Sequence, residues 1–204
     1  MLQKKNIVVF DFDGTLSASD SNYEFYKYCF KHSARPWLFL PLEAFCVFGV
    51  VLNFKGVWWR EVARNFLTPK MVCNFSKKVI KEHKQKRFGW AKEQVKKEKQ
   101  AGNMVVLVSA GPDYLIPSLV SDMKFDAVIC SKMDTKKPYK YEFICWGENK
   151  VIAFDKWAKE NKIIPNVIRS YSDSMSDMPM MNIAKEHVWI NRKTGLRCTK
   201  KDIK

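Results

Sequence analysis

The chain has 204 residues, enough to bury one proper core plus a small appended lobe. A hydrophobic fraction of 47% with seven Trp excludes a disordered chain, and a net charge of +15 favours polyanionic partners: phosphorylated substrates, anionic lipid surfaces or nucleic acid. The six Cys are scattered, with no Cys-x-x-Cys and no His cluster beside them, which excludes a zinc site and suits reduced thiols.

Met1-Leu-Gln-Lys-Lys leads straight into an apolar run, so no signal peptide is expected and the expected compartment is the cytoplasm, including the inner face of its membrane. That run, Ile7-Val8-Val9-Phe10, is apolar on both faces and predicts a central strand of a parallel sheet covered on both sides. It ends in Asp11 and Asp13, followed by Gly14 and Thr15. Parallel sheets bind ligands beyond the carboxyl ends of their strands, where these residues would sit. Two carboxylates one residue apart, with no Lys or Arg between them, repel each other and point to a cation as neutraliser.

Ser21 to Phe30 is aromatic and helical in period. Trp37 to Phe54 is the most apolar stretch and approaches the ~20 residues of a membrane span, but Glu43 and Pro41 favour a buried or interfacial helix. Gly56 to Phe66 predicts another helix, and Thr68-Pro69 an N-cap and first helical residue for the next. Residues 76–101 are strongly basic and read as helical up to Gly102. After Gly102 the period changes. Met104 to Val108 predicts a strand ending in Ser109-Ala110-Gly111-Pro112, followed by a helix over 113–121 and a strand over 126–131. Tyr139 to Trp146 alternates and predicts a small ribbon; Glu148 to Asn161 is helical. Val167 to Tyr171 is a strand ending in Ser172-Asp173-Ser174, before a short helix over 176–184 and a last strand at Val188-Trp-Ile190.

Strands alternating with helices give an α/β fold: a doubly wound, Rossmann-like parallel sheet formed by 1–16 and 86–204, interrupted by an all-helical cap over 17–85. Strand ends and one helix start then carry Asp11, Asp13, Ser109, Lys150, Asp173 and Asp177. Acids to hold a cation, with a hydroxyl and a lysine to hold an anion, are the parts that hydrolysis of a phosphate monoester needs, because phosphoryl transfer is mostly positioning and charge neutralisation. Lys132 and Lys136 compete with Lys150 for the anion-binding position. Ser174 reads equally as a helix cap.

Phe10-Asp-Phe-Asp-Gly-Thr-Leu16, Val108-Ser109, Lys150 and Tyr171-Ser-Asp-Ser-Met-Ser-Asp177 resemble, in order, the four motifs of the haloacid dehalogenase superfamily. The resemblance implies Asp11 as a nucleophile that becomes an aspartyl-phosphate and Asp13 as the acid and base. It implies that Ser109 and Lys150 bind the phosphoryl group. It also implies Mg²⁺ held by Asp11, Asp13 (through its backbone carbonyl) and Asp173, with Asp177 ordering the metal shell and Lys150. A helical insertion after the first motif is similar to the phosphoserine phosphatase subgroup, whose substrate-reading Glu falls here at Asp20. Asp20, Ala110 within Ser-Ala-x-Pro-x-Tyr-Leu-x-Pro, and Cys145-Trp-Gly-Glu-Asn-Lys150-Val resemble bacterial phosphatidylglycerophosphatase C and its relatives. Asp20, Ser109, Ala110 and Lys150 are therefore the expected substrate-binding set. A lipid head-group phosphate is the expected ester, with the lysine-rich segment lying against anionic lipid at about 1 kcal/mol per basic residue. A small soluble phosphate ester is the alternative. Basic helices carrying Trp58, Trp59, Arg87 and Trp90 leave a nucleic-acid-binding reading, without any recognised binding motif.

Overall fold

The structure, a computed structural model, describes residues 2–41, 66–134 and 140–203. Its centre is a seven-stranded sheet. The strands are β1 (Gln3–Phe10), β2 (Met104–Pro112), β3 (Ala127–Asp134), β4 (Lys140–Phe143), β5 (Ile163–Ser172), β6 (Glu186–Ile190) and β7 (Arg197–Cys198). They lie in the order β4-β3-β2-β1-β5-β6-β7. The five inner strands are parallel; β4 and β7 close the edges antiparallel. The chain winds outward from β1 through β2 and β3, then returns to lay β5 on the other side of β1. That reversal puts the switch point of the doubly wound fold at β1, with the crevice beyond its carboxyl end.

The two-residue period of β1 decides which side chain meets which layer. Val8 and Phe10 enter the larger core, with α1 (Ser21–His32), α2 (Pro69–His83) and α3 (Ala91–Gln100) on that face. Ile7 and Val9 enter the second core, with Phe154 of α5 (Glu148–Glu160) and Met180 of α6 (Met178–Asn182). Phe10 also stacks on Tyr171 of β5, ring centroids 4.2 Å apart, which ties the ends of these neighbouring strands together. Each long helix seats one stripe: Phe25 and Cys29 on α1, Met71, Val72 and Val79 on α2, Val95 on α3, Phe154 and Ala158 on α5.

Thr68 caps α2 by accepting from the Met71 N–H at 3.2 Å, with Pro69 in the first turn, as the sequence predicts. Three boundaries differ. The basic run 76–101 is two helices, not one. After His83 the chain forms a 3₁₀ turn (Lys84–Lys86) and then docks on the loop after β1, Ala18 N donating to Lys86 O and Phe88 N to Leu16 O. The helix expected over 113–121 shrinks to α4 (Ile116–Leu119), because a longer helix would place Pro117 in its interior. The helix expected over 176–184 is a 3₁₀ turn (Met175–Asp177) leading into α6, whose second residue is Pro179. The ribbon expected over 139–146 is the strand β4, paired antiparallel with β3, and at the opposite edge of the sheet β6 carries β7, a short strand with no strong sequence pattern. The described part of 17–85 is helical apart from its loops. Most of the apolar stretch 37–54 and the helix expected over 56–66 lie outside the described residues. Among the described residues no helix is long and apolar enough to cross a membrane.

Candidate active site

Parity in β1 carries beyond the strand: Asp11 follows Ile7 and Val9 toward α5, while Phe12 is buried in the larger core. The turn that follows folds back on itself, the N–H groups of Thr15, Leu16 and Ser17 all converging on Phe12 O. Gly14 takes a left-handed φ of +84°, and a Cβ there would sit 2.1 Å from Asp173 Oδ2. Only glycine lets β5's terminal carboxylate come this close.

Asp11 is held from two sides. Lys150 Nζ donates to its Oδ1 at 2.7 Å, and Thr15 Oγ1 lies 3.2 Å from its Oδ2. The same threonine hydroxyl is 2.9 Å from Asp173 Oδ1, so one side chain bridges the carboxylates of two neighbouring strands. Lys150 shares the buried stripe of α5 with Phe154 and Ala158, which aims its amine inward from the first turn. A cation there opposes the helix dipole and is buried to 2% exposure. Asp11 and Asp177 offset both costs; Lys150 Nζ is 2.8 Å from Asp177, whose Oδ2 also accepts from Ser172 Oγ at 2.8 Å. Burial alone would lower the pKa of Lys150, but the two carboxylates reverse that and hold it above its ordinary value.

Asp13 points into the opposite side of the same crevice. Its Oδ1 accepts from Ser21 N and its Oδ2 from Ser21 Oγ, both at 2.8 Å. Burial, then the negative charge of Asp20, pushes Asp13 well above the usual carboxylate range. Burial also raises Asp11, to about 7, against the pull of Lys150, and raises Asp173 against its bond from Thr15. Two buried carboxylates held back from ionising, bridged by one hydroxyl, are donors suited to a hard divalent cation. Magnesium takes one or two carboxylates and keeps water and phosphate oxygens for the rest. Among the described residues no three His, Cys, Asp or Glu side chains form a closed metal cage. The donor set is an open pair.

Ser109, buried at the end of β2, accepts from Gly111 N at 3.1 Å. Ala110 next to it is fixed by Ser131 Oγ, which donates to its carbonyl at 2.8 Å. Asp20 caps α1, its Oδ1 taking the Tyr23 N–H at 2.8 Å. Ser174 caps the 3₁₀ turn before α6, accepting from Ser176 N. Asp11, Asp13, Asp20, Ser109, Ala110, Lys150, Asp173 and Asp177 all line one cavity of about 630 Å³. Of the rival lysines, Lys132 is exposed on β3 and Lys136 lies outside the described residues.

The sequence reading places Thr15 beyond β1 without giving it a role, and it misses Ser21, His83 and Arg192. Thr15 and Ser21 stand beside the carboxylates they hold, and their small hydroxyl side chains next to Asp-x-Asp-Gly were the available signal. His83 gave none. It arrives from the end of α2, fully buried, with Nε2 2.9 Å from Ser17 Oγ and 4.0 Å from Asp13 Oδ1. Arg192, in the turn after β6, places Nε 3.4 Å from Asp173 Oδ2.

The sequence model of haloacid dehalogenase-like hydrolases matches residues 8–182. No curated protein sequence matches the chain. Among solved structures, a Bordetella pertussis Tohama I protein of unknown function is similar at 15% identity, with a TM-score of 0.74, over 96% of this chain and 93% of that one. A substrate-bound phosphoserine phosphatase is similar at 18% identity, with a TM-score of 0.64, over 92% and 87%. A phosphoserine phosphohydrolase-like protein from Francisella tularensis is similar at 17% identity, with a TM-score of 0.61, over 94% and 90%. At these identities the likeness is one of fold.

Proposed function

The chain belongs to the haloacid dehalogenase-like hydrolases, and from that premise we propose that it hydrolyses phosphate monoesters through a phosphorylated Asp11. The observation that carries this reading is the pairing of Asp11, pinned by Lys150 at 2.7 Å, with Asp13 two residues on, its pKa raised by burial, lining the same cavity. Asp11 attacks phosphorus and the ester bond breaks. Asp13 gives its proton to the departing alkoxide, then takes one from the water that cleaves the acyl phosphate. Lys150 and Ser109 receive phosphoryl oxygens. Asp11, Asp173 and the backbone carbonyl of Asp13 would hold Mg²⁺, which supplies neutralising charge for the phosphoryl oxygens when bound. Asp177 acts through Lys150, to which its carboxylate is committed. A carboxylic acid at position 13 favours ester hydrolysis over dehalogenation, since an alkoxide needs a proton to leave and a halide does not.

For the alcohol we propose a lipid head group. Trp37, Leu38 and Leu40 are 57%, 77% and 42% exposed on a chain of net charge +15, which suits contact with anionic lipid. A small soluble ester is the second reading, favoured by Asp20, which lines the cavity and carries a carboxylate of the charge that a substrate amine calls for.

The test is turnover of p-nitrophenyl phosphate with Mg²⁺ and with EDTA, for wild type and Asp11→Asn. Metal-dependent turnover lost in the variant is expected. Equal turnover in both, or none in wild type beside salt-sensitive polynucleotide binding, would refute the reading. Comparing phosphatidylglycerophosphate in detergent micelles with phosphoserine then separates the two alcohols.

A further inference from the structure

The turn after β6 brings two cations, Arg192 and Lys193, to the wall of the catalytic cavity. Nothing in the phosphoryl-binding set requires them. We propose that they form a subsite for a second anionic group, so that the substrate is the phosphate monoester of an alcohol that itself carries a negative charge. This deepens the phosphatase reading and rests on it.

The placement is built into the fold. Strands run β1-β5-β6 in space, so the turn stands two strand spacings, about 10 Å, to the side of the strand that bears Asp11. A phosphoryl group attacked by Asp11 lies over β1, so the turn is within reach of an ester whose alcohol extends toward β6 along the shared cavity. The turn is anchored on both sides. Asn191 Oδ1 accepts from the N–H groups of Lys193 and Thr194, and Trp90 Nε1 donates to Gly195 O at 2.7 Å. Gly195, at φ +70°, packs so closely on Phe88 that a Cβ would meet its ring at 2.4 Å. The backbone that presents Arg192 and Lys193 is therefore fixed by the far core before any ligand arrives.

The two side chains also differ from Lys150 in what they have left to give. Lys150 is buried and spends its amine on Asp11 and Asp177. Arg192 is 55% exposed, its Nε lies 3.4 Å from Asp173 Oδ2, and no hydrogen bond among the described residues holds its two terminal nitrogens. Those nitrogens form a planar fork suited to a carboxylate or phosphate. Lys193 is exposed beside it. The acid on this side of the cavity, Asp202, has its Oδ2 bound by Thr199 N and Oγ1, at 2.8 and 2.7 Å.

The experiment compares two three-carbon esters in the intact protein: 3-phosphoglycerate, which carries a carboxylate, and glycerol 3-phosphate, which carries a hydroxymethyl group there. Wild type is expected to favour the carboxylated ester in kcat/KM by about tenfold or more, the usual worth of a charge-assisted hydrogen bond. The double variant Arg192→Gln/Lys193→Gln is expected to lose that ratio, whatever it does to both esters together, and Arg192→Lys/Lys193→Arg to keep part of it. No preference in wild type, or the same ratio in the double variant, overturns the subsite. A ratio left unchanged while both esters slow equally would place Arg192 on the reacting phosphoryl instead. Circular dichroism of each variant confirms that it folds, and p-nitrophenyl phosphate reads the parent reaction separately. Its hydrolysis without any preference sinks the subsite alone, whereas no hydrolysis of any ester sinks both.

Discussion

Removing one amine from this site exposes how the buried charges depend on each other. In Lys150→Met the side-chain volume is nearly kept, while Asp11 and Asp177 lose their shared counter-ion. At an effective dielectric constant of about 20, charges at these separations attract by roughly 6 kcal/mol per pair, before the cost of burying them is subtracted. Stripping one partner from a buried ion pair leaves a net loss of about 3–5 kcal/mol, a large share of the stability of an ordinary domain. Asp11, already raised to about 7 by burial, then rises further and holds its proton at neutral pH. The variant should lose activity through the nucleophile's protonation as well as through lost substrate binding. Urea unfolding at pH 7 measures the first quantity. The double variant Lys150→Met/Asp177→Asn should regain about half of the lost stability and none of the activity, because it removes one uncompensated charge without restoring the amine. A destabilisation below about 1 kcal/mol in Lys150→Met would refute the view that this lysine neutralises a buried acidic pair.

Asp13→Asn keeps the shape but removes the transferable proton, so kcat should fall about 10²–10⁴-fold with little change in KM, read by steady-state kinetics. Gly14→Ala forces a side chain onto Asp173 at a left-handed φ; it should cost more than about 1 kcal/mol in urea unfolding and abolish turnover. Burial, helped by the neighbouring charge of Lys86, lowers His83 from 6.5 to about 4. Between those values the unfolded chain binds more protons than the folded one, so this stability is fully present above pH 6.5 and is lost as the pH falls toward 4, by roughly 3 kcal/mol at most. His83→Gln should flatten the acid side of the stability profile measured by urea unfolding at a series of pH values. An unchanged slope would contradict it.

The features written in short stretches of sequence were legible. Four apolar residues ending in Asp-x-Asp-Gly gave the central strand and its carboxylates, and Lys150 stands out from Lys132 and Lys136 because Gly147 to Val151, entering a helix, resembles the family's motif. The fold class followed from alternation of period. What was hidden depends on contacts between distant parts of the chain. The basic run 76–101 reads as helical throughout, and it breaks around Arg87, where Phe88 N pairs with Leu16 O, 72 residues earlier in the chain. Arg87 there also takes Asp122 in a two-pronged bond at 2.7 and 3.0 Å. His83 reads as one more polar residue on a lysine-rich helix until α2 is seated against Ser17. Arg192 reads as a surface cation in a turn until strand order puts β6 beside β5.

The claim on which the rest depends is that Asp11 takes the phosphoryl group into covalent linkage. Incubation with a radiolabelled phosphate ester and Mg²⁺, quenched in acid within the first turnovers, should leave label on the protein. Hydroxylamine should release it, as it does an acyl phosphate, and peptide mapping should place it at Asp11. Label that survives hydroxylamine, or that persists in Asp11→Asn, would contradict a phosphorylated Asp11.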